Sequence, residues 1–297
     1  MHNRILLVIT ICLGITLLIL SSSNTTFFNS KKKITIKDSK TEKITDLELE
    51  EYIIGVVAAE MPASFNEEAL KAQAISSRTY AMYKIENSNK EYEVVTDVSD
   101  QSYITKEEKK EKWWSDFEKF FNKIKNAIND TKGKIMLYDG KVIKSYYFAM
   151  SNGYTEDVKL VFSENREYLE SVESIYDKKV KNFEVKKEFT KEEICSSLKI
   201  DCKELLFDNI IRSNTNRVNY ITVNNIEYKG TEFRKLLGLR STDFTIKELN
   251  NKIIITTKGY GHGVGMSQYG ANGMANDGYN YEEILKYFFK NIEISSI

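Results

Sequence analysis

Apolar positions along the chain change their spacing several times, and each spacing predicts a different kind of element. Repeats of three and four residues predict helices, whereas short apolar runs separated by turn residues predict paired strands. The helices predicted in this way cover residues 45–60, 64–85, 113–128, 231–237 and 281–289. The predicted strands cover 135–138, 142–148, 218–223, 226–228, 244–249 and 252–258. Because helices and strands do not alternate strictly, we predict an α+β fold of mixed helices and antiparallel hairpins that forms an open groove.

The chain contains a single proline, Pro62, and its position predicts where the first helix ends. A residue that precedes proline is disfavoured in the helical conformation, so Met61 should leave the helix and Glu60 should be its last residue. Ser64 and Glu67 then have the spacing of a capping box at the start of the next helix.

Residues 5–20 carry no charge and form the longest apolar segment of the chain. This pattern is typical of either a signal anchor or a cleaved signal peptide. An A-x-A cleavage pattern is missing, which favours one transmembrane helix with the rest of the chain outside the cytoplasm. We therefore predict a membrane anchor at 1–24, a linker at 25–43 and one folded domain at 44–297, with an insertion-like helical segment near 104–130.

Composition excludes several classes of function. Lys plus Arg and Asp plus Glu number 43 each, so no excess of positive charge indicates a nucleic-acid partner. Only two histidines and three cysteines are present, and we expect no metal and no other cofactor. Cys195 and Cys202 are close enough in sequence to form a disulfide, but two free thiols fit the spacing equally well.

Three segments together resemble the stage II sporulation protein D family. They are residues 53–62 (IIGVVAAEMP) with 68–81 (EALKAQAISSRTYA), 229–244 (KGTEFRKLLGLRSTDF) and 259–271 (GYGHGVGMSQYGA). The resemblance implies a membrane-anchored lytic transglycosylase of sporulation engulfment, which cuts peptide-free peptidoglycan strands between the two membranes around the forespore. It also implies two protein partners, the amidase stage II sporulation protein P and the membrane protein stage II sporulation protein M. Some relatives carry a His/Cys cluster that residues 146–155 of this chain lack.

Glu60 has the sequence environment of a general acid. It follows seven apolar or glycine residues at the end of a predicted helix, where desolvation and the helix dipole both disfavour a carboxylate. A lytic transglycosylase needs one such carboxyl group, because the C6 hydroxyl of the sugar itself attacks and forms a 1,6-anhydro ring.

Lys71 and Arg78 are seven residues apart and are predicted on one face of the second helix. We expect Arg78, and more weakly Lys71, to bind the lactyl carboxylate of N-acetylmuramic acid (MurNAc). In the glycine-rich segment, His262, Ser267 and Gln268 offer hydrogen bonds to a sugar, and Tyr260 and Tyr269 offer stacking surfaces. An alternative is that the glycines only form turns and that His262 makes an internal hydrogen bond.

Two other functions fit the same sequence. A non-catalytic activator of a cell-wall amidase would use the groove to bind glycan. A two-carboxylate muramidase would use Asp97, Asp100, Glu156 or Asp157 and release reducing-end MurNAc.

Overall fold

In the computed structural model, which describes residues 32–297, helices are mixed with mostly antiparallel strands, and this confirms the predicted α+β class. The helices are α1 (Leu49–Glu60), α2 (Glu67–Asn87), α3 (Lys106–Trp113), α4 (Phe117–Asp130), α5 (Val158–Phe162), α6 (Lys191–Leu198), α7 (Gly230–Leu236), α8 (Gln268–Asn276) and α9 (Tyr281–Phe288). The strands are β1 (Lys33–Lys37), β2 (Ile44–Glu48), β3 (Val94–Val95), β4 (Lys134–Tyr138), β5 (Lys141–Val142), β6 (Tyr147–Phe148), β7 (Glu184–Phe189), β8 (Phe207–Arg212), β9 (Val218–Val223), β10 (Ile226–Lys229), β11 (Phe244–Leu249), β12 (Lys252–Lys258), β13 (Met266–Ser267) and β14 (Glu293–Ser296).

The predicted membrane anchor, residues 1–24, lies outside the described residues. Within 32–297, no helix is both long and apolar enough to cross a bilayer.

The folded body begins earlier than the predicted boundary at residue 44. Ile34 and Ile36 of β1 are only 1% and 6% exposed, because alternate side chains of this strand point into the core. Strand β2 also occupies residues that the sequence assigned to the first helix, which instead begins at Leu49. Part of the predicted linker is therefore a core strand, and β1 pairs in parallel with β3.

Helix α2 is buried in the main core, where it contacts α1, α4, α8, α9 and β4. Its alanines let these neighbours approach closely, since Ala69, Ala72 and Ala74 are fully buried. The helix begins two residues later than a capping box at Ser64 would place it. Asn66 is the N-cap and accepts a hydrogen bond from the Glu68 N–H at 3.0 Å.

The segment near 104–130 is not peripheral to the fold. It forms two helices, α3 and α4, separated by the short 3₁₀ turn Trp114–Asp116, where the sequence predicted one helix. Helix α4 packs on α1 and α2, and its Ile124 and Ile128 are buried in the main core.

A second hydrophobic core lies between two three-stranded antiparallel sheets, with strand orders β10-β9-β8 and β11-β12-β7, and helices α6 and α7. Cys195 of α6 and Cys202 form a disulfide, so the alternative of two free thiols does not hold.

Both predicted hairpin turns form with left-handed backbone, as a type I′ turn requires. The φ angles are 48° and 70° at Asp139-Gly140 and 47° and 64° at Asn224-Asn225. The predicted strand 142–148 is interrupted, however: β5 ends at Val142, and β6 pairs in parallel with β13 instead.

Arg78 is a structural residue of the main core, which corrects its predicted role as a substrate ligand. Its side chain is 0% exposed and forms a bidentate ion pair with Glu50 of α1, with Nε–Oε1 at 2.9 Å and Nη2–Oε2 at 2.6 Å. Its Nη1 donates to the Lys134 carbonyl oxygen at 3.1 Å. A buried guanidinium needs this set of partners because removing the charge from water is costly.

We predict that Glu50→Gln lowers the free energy of unfolding by about 3 kcal/mol, because it leaves the Arg78 charge buried without an opposite charge. Chemical unfolding of the full-length chain measures this change. The matched control is Glu51→Gln, at the next and exposed position of α1, which should change the free energy of unfolding by less than about 0.5 kcal/mol. Equal stability of the two variants would contradict the structural role of the pair.

Candidate functional site

Glu60 is the last residue of α1, and the chain leaves the helix there for the reason that the sequence indicated. Met61 precedes Pro62 and is extended, with φ −120° and ψ 138°. The residues before Glu60 are held in the core, and Val56, Val57 and Ala58 are fully buried. The Glu60 carboxyl group therefore emerges from a buried helix end into a large cleft.

Burial is the main influence on Glu60 and raises the pKa of its carboxyl group above the usual value. Three weaker influences oppose burial: the Ser102 N–H, which donates to Oε1 at 2.7 Å, the Ser102 hydroxyl and the charge of Lys112. The Lys112 ammonium is directed to the Ala58 carbonyl oxygen at 2.8 Å. Glu60 makes no salt bridge with residues 32–297, so no contacting cation stabilises its carboxylate form over the protonated acid.

The cleft has a volume of about 1190 Å³, which is above the roughly 300–1,000 Å³ of ordinary small-molecule pockets. Its lining includes Glu60, Ser102 and Tyr147, together with Tyr260 and His262 of the glycine-rich segment.

Among residues 32–297, three other carboxyl groups line the cleft, and each already has hydrogen-bond partners. Asp100 accepts hydrogen bonds from Tyr80, Lys84 and the Val95 N–H, with Lys84 Nζ at 2.7 Å. Glu93 accepts from the Thr35 N–H at 2.6 Å. Burial opposes ionisation of Glu164, but hydrogen bonds from Lys144, Tyr146 and Arg166 outweigh it and hold its pKa below the usual range.

The glycine-rich segment comes directly after β12 in the sequence, and its backbone packs closely against β6 and the residue before it. A Cβ atom at Gly265 would lie 2.1 Å from the Tyr146 carbonyl oxygen, and Gly261 has a φ of 118°. The glycines are therefore required by close backbone packing, as in the second of the two interpretations of this segment.

His262 lines the cleft but has no hydrogen-bonding capacity left for a sugar. Its Nδ1 accepts from the Val264 N–H at 3.1 Å, so Nε2 carries the proton and donates to the Tyr147 carbonyl oxygen at 3.0 Å. Burial, together with the charges of Arg234 and Arg217, lowers its pKa to about 3. The imidazole is therefore neutral at physiological pH and positions the cleft wall.

Among the other predicted ligands, Gln268 lines the cleft, where its Nε2 donates to Gln73 Oε1 at 3.3 Å. Ser267 does not: its hydroxyl donates to Asp177 at 2.8 Å and caps α8. Tyr269 packs edge-on against Phe65, with ring centroids 4.9 Å apart.

Lys71 is also outside the cleft, which corrects its predicted role. It forms salt bridges of 3.1–3.2 Å with Glu67, Glu68 and Asp130. Burial acts against its charge, but these carboxylates outweigh that effect and raise its pKa. With Arg78 paired to Glu50, neither cation of the predicted face of α2 reaches the groove.

Sequence reasoning missed several cleft residues. Tyr147 is half-buried near Glu60, and desolvation together with the Glu60 charge raises its pKa; its hydroxyl accepts a hydrogen bond from Gln101 at 2.9 Å. Ser102 and Arg234 also line the cleft. Arg234 lies in a segment that carries the family resemblance, but nothing in its local pattern separates it from an ordinary helix-surface arginine.

Within 32–297, no group of three or more His, Cys, Asp or Glu side chains is arranged to hold a metal ion.

Comparison with known proteins identifies relatives over most of the chain. The family described as Stage II sporulation protein (SpoIID) matches residues 37–138. A protein named Stage II sporulation protein D from Bacillus subtilis is 38% identical over 273 residues, which cover 90% of this chain and 80% of that protein. Its namesake from Bacillus amyloliquefaciens is 37% identical and covers 91% of this chain and 80% of that protein. The chain belongs to the stage II sporulation protein D family.

A more distant relative carries a different name. A protein called Amidase enhancer from Bacillus subtilis is 28% identical over 300 residues, which cover 82% of this chain and 40% of that protein. The family match at 37–138 includes both Glu60 and Ser102, whereas the glycine-rich wall lies beyond it.

We predict that the Glu60 carboxyl titrates above 4.5, and that Lys112→Gln raises its pKa further. The reason is that the Lys112 charge favours the carboxylate, so its removal favours the protonated acid. Carbon-13 NMR titration of labelled glutamate carboxyls measures both values.

The matched control is Lys110→Gln, at an exposed position on the same helix, which should leave the Glu60 titration unchanged. A Glu60 pKa at or below 4.5, or an identical response to both lysine substitutions, would contradict the electrostatic description of the site.

Proposed function

We propose that this chain is a membrane-anchored lytic transglycosylase, which cleaves the bond between MurNAc and N-acetylglucosamine (GlcNAc) in peptide-free peptidoglycan strands. The observation that carries the proposal is Glu60, a carboxyl group that lines a large cleft and is desolvated without a contacting cation among residues 32–297. A raised pKa increases the fraction of this group that is protonated at a given pH, which favours its use as a general acid.

The reaction needs one carboxyl group in two successive roles. Glu60 donates its proton to the glycosidic oxygen as the bond from C1 of MurNAc to O4 of GlcNAc breaks. The C6 hydroxyl of the same MurNAc then attacks C1, and the Glu60 carboxylate accepts the hydroxyl proton. The products are a GlcNAc with a free 4-hydroxyl and a 1,6-anhydroMurNAc end, and Glu60 is again protonated.

The muramidase alternative finds no second catalytic carboxylate in the described part of the chain. Asp97 lies outside the cleft in an exposed turn with Ser99, and Asp157 caps α5. Glu156 is buried against Ser213 and Thr215. Asp100 faces the cleft but is held by Lys84 and Tyr80, which supports a single-acid mechanism.

Membership of a sporulation family supports a role at the engulfing membranes, with the catalytic domain between mother cell and forespore and residues 1–24 as the anchor. In this setting we propose the amidase stage II sporulation protein P as the partner that removes stem peptides. Stage II sporulation protein M is the proposed membrane partner.

A second candidate is a non-catalytic activator of a cell-wall amidase, which the similarity to a protein named Amidase enhancer favours. In that case the cleft would hold glycan for the amidase, and Glu60 would bind sugar without donating a proton. The two functions differ in whether the chain alone breaks glycosidic bonds.

We predict that Glu60→Gln reduces release of 1,6-anhydroMurNAc products from peptide-free strands by about a hundredfold or more, because an amide cannot donate the required proton. Mass spectrometry of the products measures this loss for the full-length chain. The variant should still bind strands, since glutamine keeps the shape of the side chain and its acceptor oxygen for Ser102.

Glu91→Gln, at an exposed position, is the matched control and should retain full activity. If the wild-type chain breaks no glycosidic bonds but still increases amidase activity, the activator function replaces the enzymatic one. Anhydro products from Glu60→Gln at the wild-type rate would refute the assignment of the acid.

A further inference from the structure

Arg234 of α7 lines the cleft together with Glu60, Tyr260 and His262, and the chain gives its guanidinium few partners. Its Nε donates to the Leu239 carbonyl oxygen at 3.2 Å, which fixes the orientation of the planar group. Its two Nη groups make no hydrogen bond and no salt bridge with residues 32–297. Within residues 32–297, the fully buried side-chain atoms without a hydrogen-bond partner are Ser76 Oγ and Arg240 Nε. The Arg234 Nη atoms are not among them, so they are accessible to solvent.

The other cleft cations differ from Arg234. Lys84 contacts Asp100 and Lys144 contacts Glu164, each at 2.7 Å, so both charges are neutralised within the protein. Lys90 is exposed, and its ammonium lies 5.4 Å from the centroid of the Tyr92 ring. Among the described cleft cations, Arg234 is half-buried and makes no salt bridge with a carboxylate.

The surroundings of Arg234 are partly desolvated and include a second positive charge. Burial disfavours the charged guanidinium and lowers the pKa of Arg234, although the group stays ionised at physiological pH. A second arginine, Arg240, stacks on Tyr260, with Cζ 4.6 Å from the ring centroid. A partly desolvated arginine with a free fork is suited to a carboxylate, which it binds with two parallel hydrogen bonds.

We propose that Arg234 binds the lactyl carboxylate of MurNAc, with the exposed ring of Tyr260 as the adjacent sugar-stacking surface. This inference rests on the proposed function, because it places a peptidoglycan strand in the cleft. It gives Arg234 the role that the sequence had assigned to Arg78 and Lys71.

The chemistry of this group explains why a strand without stem peptides would be preferred. In a peptide-free strand the lactyl group ends in a carboxylate, whereas a stem peptide converts it into a neutral amide. An arginine that binds this carboxylate therefore distinguishes the two kinds of strand by the charge of the lactyl group. The reaction that supplies the substrate must then be hydrolysis of that lactyl amide bond.

Binding to three kinds of glycan strand tests the proposal directly. The strands carry free lactyl carboxylates, lactyl methylamides, or intact stem peptides, and they are titrated against the full-length Glu60→Gln chain, which leaves them uncut. With Arg234 present, we expect free-carboxylate strands to bind about 10- to 100-fold more tightly than methylamide strands. Stem-peptide strands should bind as weakly as methylamide strands.

Adding Arg234→Gln should remove this preference and leave binding to methylamide strands unchanged. Arg234→Lys should restore it in part, because lysine keeps the charge but lacks the bidentate fork. Lys235→Gln, which removes an exposed charge from the same helix, should keep the full preference. Thermal unfolding of each variant checks that the fold is retained.

Equal weakening of all three strands by Arg234→Gln would indicate a structural role and overturn the proposal, as would an unchanged preference for the carboxylate. Tighter binding of stem-peptide strands than of free-carboxylate strands would show that the arginine binds the peptide, and this result would also overturn the proposal. If Glu60→Gln proves fully active, the proposed reaction fails, but the dependence of binding on the lactyl carboxylate still tests Arg234 independently.

Discussion

Desolvation of one carboxyl group, that of Glu60, is the constraint on which the site depends. Burial raises its pKa even though the Ser102 N–H and the Lys112 charge act in the opposite direction. That balance is sensitive to position: the same glutamate in contact with a lysine or arginine would be an ordinary carboxylate. The backbone achieves it by ending a buried helix at Glu60, where Met61 and Pro62 turn the chain away.

Charges elsewhere in the fold are arranged so that they leave Glu60 without a contacting cation. Arg78 is paired with Glu50, Lys84 with Asp100, and Lys144 with Glu164. The guanidinium that remains without a carboxylate in the described cleft is Arg234, on the second hydrophobic core. The acid and the proposed anion site thus come from different parts of the chain, and each can be disturbed without removing the other.

The sequence predicted features that depend on neighbouring residues and failed where partners are distant. Pro62 correctly predicted the helix end at Glu60, and Asp139-Gly140 and Asn224-Asn225 correctly predicted two hairpin turns. The role of Arg78 was wrong because its partner, Glu50, is 28 positions away on another helix. The internal hydrogen bond of His262 was one of two interpretations of the sequence, and spacing did not decide between them because the bonded residues are 115 positions apart.

The pH dependence of kcat/KM on peptide-free strands tests the central claim most directly, because it reports the protonation state that the free protein needs. Since Glu60 must be protonated to act, the account predicts that kcat/KM falls as pH rises, with a midpoint at the pKa found for the Glu60 carboxyl by titration. A kcat/KM that rises with pH through that midpoint would show that the carboxylate is the form required at the start of the reaction, and would contradict the account.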